Sequence, residues 1–189
     1  IADFSQFELR VLAHYSEDPL LIEAYKTGAD LHKQTACLVF NTKTPTPEQR
    51  NISKIINFGI IFGLSPYGLF QRLPGFGIEG ISENQCSQFI NKYFQTYKGV
   101  KYFLSAVERT IRTRGYVKTL YGRRRRLKVF SNREVRQAQN MVIQGTAADL
   151  CKEALIGIHN DLPADSHITG VIHDEIIVET PEDTAPLVE

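Results

Sequence analysis

Apolar residues recur at helical spacing through much of this chain, and the clearest example lies between residues 82 and 97. Ser82 is a typical helix N-cap, and the apolar positions after it return every three or four residues, which places them on one face of a helix. We predict that this face is buried in the core. Its members are Cys86, Phe89, Ile90, Tyr93, Phe94 and Tyr97.

Capping boxes, in which a Ser or Thr is followed three residues later by Glu or Gln, predict three further helix starts. They occur at residues 5–8, 46–49 and 131–134. The short run before the first box suits a strand that ends at Asp3. We therefore expect this carboxylate at a junction between a strand and a helix.

Residues 171–178 have the sequence Val-Ile-His-Asp-Glu-Ile-Ile-Val. Two β-branched runs that flank a charged tripeptide predict a strand, a tight turn and a second strand. Two adjacent carboxylates at the end of an apolar ladder repel each other unless a cation neutralises them. The turn is therefore either a solvated acidic turn or a cation site.

Residues 47–62 are predicted to form an amphipathic helix. Arg50, Lys54, Phe58 and Phe62 follow one another at four-residue spacing and lie in one line, while isoleucines occupy the opposite face. One interpretation is that the cations are solvated and the rings belong to the core. The other is a nucleotide site, in which the cations contact phosphates and the rings contact sugar and base.

Two further sets of polar residues suggest contacts with nucleic acid. Residues 109–128 contain many cations and no acid. This composition is typical of a surface that binds a polyanion, although a basic surface that only contacts solvent has the same composition. This basic block comprises Arg109, Arg112, Arg114, Lys118, Arg123, Arg124, Arg125, Arg126 and Lys128. Arg136, Asn140 and Gln144 form a polar stripe that is either ordinary exposed surface or a set of donors for the minor groove, whose acceptors occur in every base pair.

The overall composition is that of an ordinary globular protein, with 42% hydrophobic and 23% charged residues among 189 and a net charge of +1. A net charge so close to zero does not attract nucleic acid or an anionic membrane over long range, so any polyanion must be bound by a local basic patch. Three widely spaced cysteines favour a reducing compartment over a disulfide or zinc framework. Without a signal peptide or a sufficiently long apolar run, we expect a cytoplasmic protein with no membrane partner.

The two ends of the chain carry carboxylates that could meet. If the first strand neighbours the hairpin, Asp3 and Asp174 converge with Glu175 beside them. Magnesium binds one or two carboxylates together with waters and substrate phosphates, and a pair of such ions stabilises both oxygens of an in-line phosphoryl displacement. The residues favour metal-dependent phosphoryl transfer, in which the helix at 47–62 would bind a triphosphate and the basic block a polyanion. That helix and the stripe that ends at Gln144 argue against a nuclease or a phosphotransferase that binds no nucleotide.

Four segments, in this order, resemble the signatures of family A DNA polymerases, the bacterial DNA polymerase I type. They are Asp3-Phe4-Ser5-Gln6-Phe7-Glu8-Leu9-Arg10, residues 50–63 with the ending Asn57-Phe58-Gly59-Ile60-Ile61-Phe62-Gly63, Gln144-Gly145-Thr146-Ala147-Ala148-Asp149, and His173-Asp174-Glu175. The resemblance implies an α/β (α+β) fold of the right-hand polymerase type, in which an antiparallel palm sheet is combined with a helical fingers subdomain.

The same resemblance implies a division of the chain. Residues 1–16 and 131–189 would belong to the palm, and residues 17–130, including the nucleotide-binding helix 47–62, would form the fingers. The thumb and an exonuclease-like domain would lie outside this chain, so that the palm would be truncated at both ends.

The implied activity is that of a DNA-directed DNA polymerase in replication or repair. Two Mg²⁺ ions would assist template-directed transfer of deoxynucleotides from dNTPs to a primer 3′-OH. The partners would be primer–template DNA and dNTPs, and the full-length enzyme would be a monomer. The alternative is a catalytically silent nucleic-acid-binding fragment of such an enzyme, and we expect these 189 residues alone to be inactive.

Site roles are implied at matching positions. Metal would be held by Asp3, the carbonyl of Phe4, and Asp174, with Glu175 in support. The dNTP would be bound by Gln6, Glu8, His32, Arg50, Lys54, Phe58 and Phe62. Within that set, Lys54 would protonate the leaving pyrophosphate, Phe58 would stack on the nucleotide and Glu8 would exclude ribonucleotides. Template and primer would contact Arg136, Asn140, Gln144 and His173.

Two positions depart from the family pattern. Phe62 stands where the family has a tyrosine, and Val171 stands where it has a glutamine. The segment 126–136 is also shorter than the corresponding segment of the family. Without the tyrosine hydroxyl, Glu8 must be held by another group or move more freely, so we expect ribonucleotide exclusion that is present but weaker.

Overall fold

Helices form most of the molecule, as the amphipathic patterns predict. The structure is a computed structural model and describes residues 1–173 and 175–188. The helices are α1 (Phe7–Ser16), α2 (Pro19–Thr27), α3 (Leu31–Val39), α4 (Pro47–Ile61), α5 (Pro66–Arg72), α6 (Glu83–Thr96), α7 (Lys98–Arg114), α8 (Asn132–Asp161) and α9 (Ala185–Val188), with a 3-10 turn at Leu73–Phe76. None of the described helices is both long enough and apolar enough to cross a membrane.

Two small antiparallel sheets join these helices. The strands are β1 (Ala2–Asp3), β2 (Tyr116–Lys118), β3 (Arg124–Arg126), β4 (His167–Ile172) and β5 (Glu175–Glu179). The first sheet has the order β1-β5-β4, and the second pairs β2 with β3. The predicted C-terminal hairpin is thus formed by β4 and β5, and the mixed helical and antiparallel architecture agrees with the expected α/β (α+β) fold.

Side-chain caps explain where the long helices begin. Thr46, Ser82 and Ser131 each accept a hydrogen bond from a backbone N–H of the following turn, and the residue three positions later bonds back to the cap. Two orphan N–H groups are satisfied at each helix start. These caps confirm the predicted starts of α4, α6 and α8.

The predicted capping box at Ser5 is wrong. The residue before α1 is Gln6, which has a φ of 53°, and no side chain caps this helix. Because this left-handed residue turns the chain sharply, Ser5 lies outside the first turn. The carboxylate of Glu8, which the box would have used, accepts a hydrogen bond from Gln144 instead.

The core contains the apolar stripe of α6. Cys86, Ile90, Tyr93 and Tyr97 are buried, and Phe89 and Phe94 pack against the same cluster. Helices α1, α3, α4, α7 and the first half of α8 contribute most of the other core residues, mainly leucines, isoleucines and valines. This continuous core fixes α4 and α8, the two helices that carry most of the predicted site residues.

Candidate active site

The two ends of the chain meet in the first sheet, so the first strand does neighbour the hairpin, the condition under which the carboxylates of the two ends converge. Strand β1 pairs with β5 so that Asp3 lies opposite Glu175. Both side chains are exposed. Like charges directly opposite each other destabilise a strand pair, so this arrangement favours a cation between or beside them. Asp174, the other predicted metal ligand, lies outside the described residues.

A cleft of about 640 Å³ opens beside this pair of strands. It is lined by residues from β1, α1, α4, α8 and the turn between β4 and β5. The predicted site residues that it brings together are Asp3, Phe4, Gln6, Glu8, Phe58, Gln144, His173 and Glu175. His173 has a φ of 58°, which places it at the sharp turn of the hairpin.

The turn between β1 and α1 is held by several contacts. The rings of Phe4 and Phe7 stack with their centroids 4.3 Å apart. The hydroxyl of Tyr25 donates to Oε1 of Gln6 at 3.2 Å, and Nε of Arg10 donates to the carbonyl of Ser5 at 2.9 Å. These contacts set the direction in which α1 leaves the sheet and therefore the position of Glu8 in its first turn.

Glu8 is bonded across the cleft to α8. Nε2 of Gln144 donates to Oε1 of Glu8 at 2.9 Å. Among the described residues, this is the only hydrogen bond that the Glu8 side chain accepts. Gln144 is therefore the group that holds Glu8 in a chain whose residue 62 has no hydroxyl to do so.

A buried polar chain runs behind α4 and consists of His32, Asn57, Thr35 and Tyr97. Nδ2 of Asn57 lies 3.0 Å from Nδ1 of His32 and 3.1 Å from Oγ1 of Thr35, whose hydroxyl lies 2.8 Å from that of Tyr97. Asn57, Thr35 and Tyr97 are 0% exposed and His32 is 5% exposed. Because an amide nitrogen only donates, Nδ1 of His32 accepts and the ring proton sits on Nε2.

The ring of His32 also lies beside the aromatic part of α4, with its centroid 5.5 Å from that of Phe58. Burial lowers the pKa of His32; Asp30 opposes this shift, and the cations Arg50 and Lys54 reinforce it. His32 is therefore a neutral imidazole next to the cleft over most of the physiological pH range.

Arg50 is paired with an acid that the sequence analysis did not single out. Nε of Arg50 donates to Oδ2 of Asp30 at 2.8 Å, while Oδ1 of Asp30 caps α3 by accepting from the backbone N–H of Lys33. Partial burial raises the pKa of Asp30, but the hydrogen bonds from Arg50 and Lys33 outweigh it, so the net pKa is lowered. This ionised carboxylate fixes the direction of the Arg50 side chain.

The line of cations and rings on α4 opens onto a second pocket, of about 510 Å³. Lys54, Phe58 and Phe62 line it, which agrees with their predicted position on one face of the helix. Arg72 and Phe76, from the segment after α4, line its other side. Phe58 is shared with the first cleft, so the pocket and the cleft meet at its ring.

The polar stripe of α8 lines a third depression, of about 410 Å³, together with part of the basic block. Its lining residues are Phe62, Arg125, Arg133, Arg136, Gln137, Asn140 and Gln144. Arg136 packs its aliphatic stem against Gly63, which has a φ of 70°, so a side chain at position 63 would be strained and would collide with Arg136. The end of α4 and the stripe of α8 are thereby in direct contact.

Magnesium fits the donor set on β1 and β5. Asp3 and Glu175 offer exposed carboxylate oxygens at adjacent strands, and such hard oxygen donors suit Mg²⁺. Residues 1–173 and 175–188 contain no cluster of three acidic, His or Cys side chains that would hold a metal by themselves. A site here would therefore need further oxygens from the backbone, water or substrate.

Several residues that shape the site were not predicted from the sequence. Asn57 is one of them, and its signal was a polar residue in the middle of the apolar run around it. Thr35 gave no such signal, since hydroxyl side chains are common on helix surfaces, and Tyr97 was predicted only as a core residue of the apolar stripe. The role of Asp30 gave no local signal either, because its bond to Arg50 depends on the packing of α3 against α4.

Comparisons with known proteins agree with this geometry. The sequence profile of DNA polymerase family A matches residues 1–189. A DNA polymerase I from Caldicellulosiruptor bescii is 40% identical over 200 residues, which cover 100% of this chain and 23% of the relative. The thermostable DNA polymerase I of Thermus filiformis is 41% identical over 194 residues, which cover 97% of this chain and 23% of the relative.

A solved structure is similar as well. The POL domain of Pol1 from M. smegmatis, in complex with DNA primer-template and dNTP, has 38% sequence identity and a TM-score of 0.86 over 98% of this chain and 34% of its own. The chain spans about a fifth of the length of the curated relatives that it matches. Since the family profile covers its whole length, this chain belongs to DNA polymerase family A.

Proposed function

We propose that this member of DNA polymerase family A forms the catalytic centre of a DNA-directed DNA polymerase, which transfers deoxynucleotides from dNTPs to a primer 3′-OH as the template directs. The observation that carries the proposal is the cleft in which Asp3 and Glu175, from opposite ends of the chain, meet Glu8, Phe58 and Gln144. Relatives named DNA polymerase I and a similar POL domain bound to primer-template and dNTP support it.

The acidic edge of the cleft would hold two Mg²⁺ ions. Asp3, the carbonyl of Phe4 and Asp174 would be the ligands, and Glu175 would support them. When bound, the ions would stabilise the negative charge on the attacking and leaving oxygens of the transfer. The carboxylates of the chain would otherwise repel both the triphosphate and each other.

The triphosphate would be bound by His32, Arg50 and Lys54. Nε2 of neutral His32 carries the ring proton and can donate to a phosphate oxygen without adding charge. Arg50 binds Asp30 through Nε, which leaves its terminal N–H groups for phosphate. Lys54 would stand near the leaving pyrophosphate and protonate it.

The base and sugar of the dNTP would lie against Phe58, with Gln6 and Phe62 at the margins. Phe58 is the residue that the cleft and the second pocket share, which suits a ring that stacks on the nucleotide. Glu8 would occupy the space that a 2′-hydroxyl needs and so exclude ribonucleotides. The phenyl rings at positions 58 and 62 offer no hydroxyl to the sugar.

Primer and template would follow the stripe of α8. Arg136, Asn140 and Gln144 line one depression, and His173, at the hairpin turn, lines the cleft together with Gln144. Amides and a guanidinium can test the minor-groove acceptors of a new base pair without reading its sequence. The exposed basic block would add contacts to the phosphates.

In this arrangement, residues 1–16 and 131–189 are the palm and residues 17–130 are the fingers, with α4 as the nucleotide-binding helix. Two observations support the division: β1, β4 and β5 form one sheet, and α3 packs against both α4 and α6. Helix α7, at the end of the fingers segment, packs against α1 and α8 and would join the two parts. The proposed enzyme is a monomer. In it, this chain would act together with parts equivalent to those regions of the relatives that the chain does not match.

Primer extension tests the proposal. The full-length protein that contains this chain should extend a primer by the nucleotide complementary to the template, in the presence of Mg²⁺ and not after its removal by chelation. The 189 residues alone should not extend it. Primer–template binding without extension by the full-length protein would instead support a catalytically silent nucleic-acid-binding role, and extension that ignores the template would contradict both.

A further inference from the structure

Glu8 and Gln144 lie far apart in the sequence and are joined by one short contact. Nε2 of Gln144 donates to Oε1 of Glu8 at 2.9 Å. Helix α1 brings Glu8 to the cleft in its first turn, and α8 brings Gln144 to the same cleft from the middle of its length. A hydrogen bond to a carboxylate is stronger than one between neutral groups, so this contact restricts the Glu8 side chain more than packing alone would.

No other described side chain donates to Glu8. Phe62, the neighbouring ring, lines a depression together with Gln144 but has no donor group. The N-terminus of α1 does not use Glu8 either, because this helix has no side-chain cap. The position of the Glu8 carboxylate therefore depends on the amide of Gln144.

The same amide belongs to the stripe of α8. Gln144 lines one depression with Arg136 and Asn140 and lines the main cleft with Glu8 and Phe58. A primary amide has two N–H donors and a carbonyl acceptor. One N–H can remain on Glu8 while the other groups contact the end of a duplex in the depression.

We propose that Gln144 is a positioning residue for sugar selection, whose amide holds the Glu8 carboxylate in the place where it excludes a 2′-hydroxyl. The inference rests on the proposed polymerase function. It adds a role to a residue whose stripe otherwise indicates only contact with DNA. It also accounts for how Glu8 is held in a chain that has phenylalanine at position 62.

The test compares incorporation efficiencies of a deoxynucleotide and its ribonucleotide analogue in the full-length protein. Gln144→Ala removes the donor, and Gln144→Glu keeps the length of the side chain but places a second carboxylate beside Glu8. Both variants should lower discrimination against the ribonucleotide by about fivefold, the equivalent of one modest hydrogen bond. Asn140→Ala is the matched control on the same stripe, and it should weaken both reactions equally and leave their ratio unchanged.

A second comparison separates positioning of Glu8 from a general effect on DNA. In a Glu8→Ala background the ratio should already be low, and Gln144→Ala should lower it no further. The inference is overturned if Gln144→Ala leaves the ratio at its original value, or if its effect is the same with and without Glu8. Failure of the unmodified protein to incorporate deoxynucleotides at all would instead refute the proposed function on which the inference rests.

Discussion

On the α3–α4 side of the cleft the polar side chains are buried and bonded to one another, whereas on the β1–β5 side they are exposed and charged. His32, Asn57, Thr35 and Tyr97 satisfy each other inside the core. Asp3 and Glu175 stand opposite each other at an exposed pair of strands. The first set is fixed by contacts within the protein, and the second leaves two like charges exposed that a cation can neutralise.

The contrast has a physical cause. A buried polar group without a partner is costly, so the groups behind α4 must be paired whenever the chain is folded. Exposed carboxylates keep their hydration and can stay unpaired until a cation replaces the water. The proposed triphosphate site would gain from both arrangements, because the first would orient α4 before binding and the second would leave charge available for a metal.

The sharpest way to break the comparison is to change the acidic side. Asp3→Asn should reduce the rate of nucleotide transfer by about a thousandfold or more, since it removes a charge that would hold the metals. The unfolding free energy should change by no more than about 0.5 kcal/mol, because the side chain is exposed. Single-turnover primer extension and urea unfolding of the same protein measure the two effects. Near-normal extension would show that Asp3 holds no metal.

On the buried side, Asn57→Ala should have the opposite pattern of effects, in which stability changes more than the rate of nucleotide transfer. It leaves Nδ1 of His32 without a partner, removes one of the two partners of the Thr35 hydroxyl and opens a small cavity, so the unfolding free energy should fall by about 3 kcal/mol. Ser53→Ala is the control: Ser53 is also buried on α4, and its hydroxyl has no partner among the described residues, so its loss should cost less than about 0.5 kcal/mol. Equal losses in urea unfolding would mean that the polar chain contributes nothing beyond packing.

The two sides also differed in how well the sequence predicted them. The strand that ends at Asp3 and the C-terminal hairpin followed from short β-branched or apolar runs, while their pairing was only a condition. The starts of α4, α6 and α8 followed from local capping residues. These signals are local, so one sequence suffices to detect them. The capping box at Ser5 failed because the left-handed turn at Gln6 was not visible in the residue types.

The buried polar chain and the pairing of Arg50 with Asp30 could not be predicted in this way. Each depends on which faces of α3, α4 and α6 meet. Helix periodicity identifies the apolar face of a helix, but it does not identify the helix that packs against this face. Asn57 looks like any polar residue until Thr35 and His32 are placed beside it. The bond between Gln144 and Glu8 is a similar case, because it joins two helices that are distant in the sequence.

Tyr93 of α6 and Tyr97, the residue directly after this helix, extend the comparison to the core itself. Tyr93 and Tyr97 are both 0% exposed, but only the Tyr97 hydroxyl has a partner among the described residues. Tyr97→Phe should destabilise the protein by about 1 kcal/mol, since it removes a hydrogen bond from Thr35. Tyr93→Phe should be neutral or stabilising, because it removes an unpaired buried hydroxyl. The difference between the two urea midpoints is the measurement, and the reverse order would contradict the assigned network.

The last expected effect is a dependence of stability on pH that comes from His32. Burial is the largest cause of its lowered pKa, which Asp30 opposes and Arg50 and Lys54 reinforce. Protonation would also remove the lone pair with which Nδ1 accepts from Asn57. Between the lowered pKa of the folded state and the ordinary value of about 6.5, the unfolded chain binds the proton more readily. The stabilisation is therefore complete above about pH 6.5 and is lost as the pH falls through the folded pKa.

His32→Gln keeps an acceptor for Asn57 but cannot titrate. Below about pH 6.5, the unfolding free energy of this variant should therefore fall less steeply than that of the unmodified protein. Subtracting the two pH profiles removes the contributions of all other titrating groups, and two parallel profiles would show that His32 is not the buried neutral base that the polar chain requires.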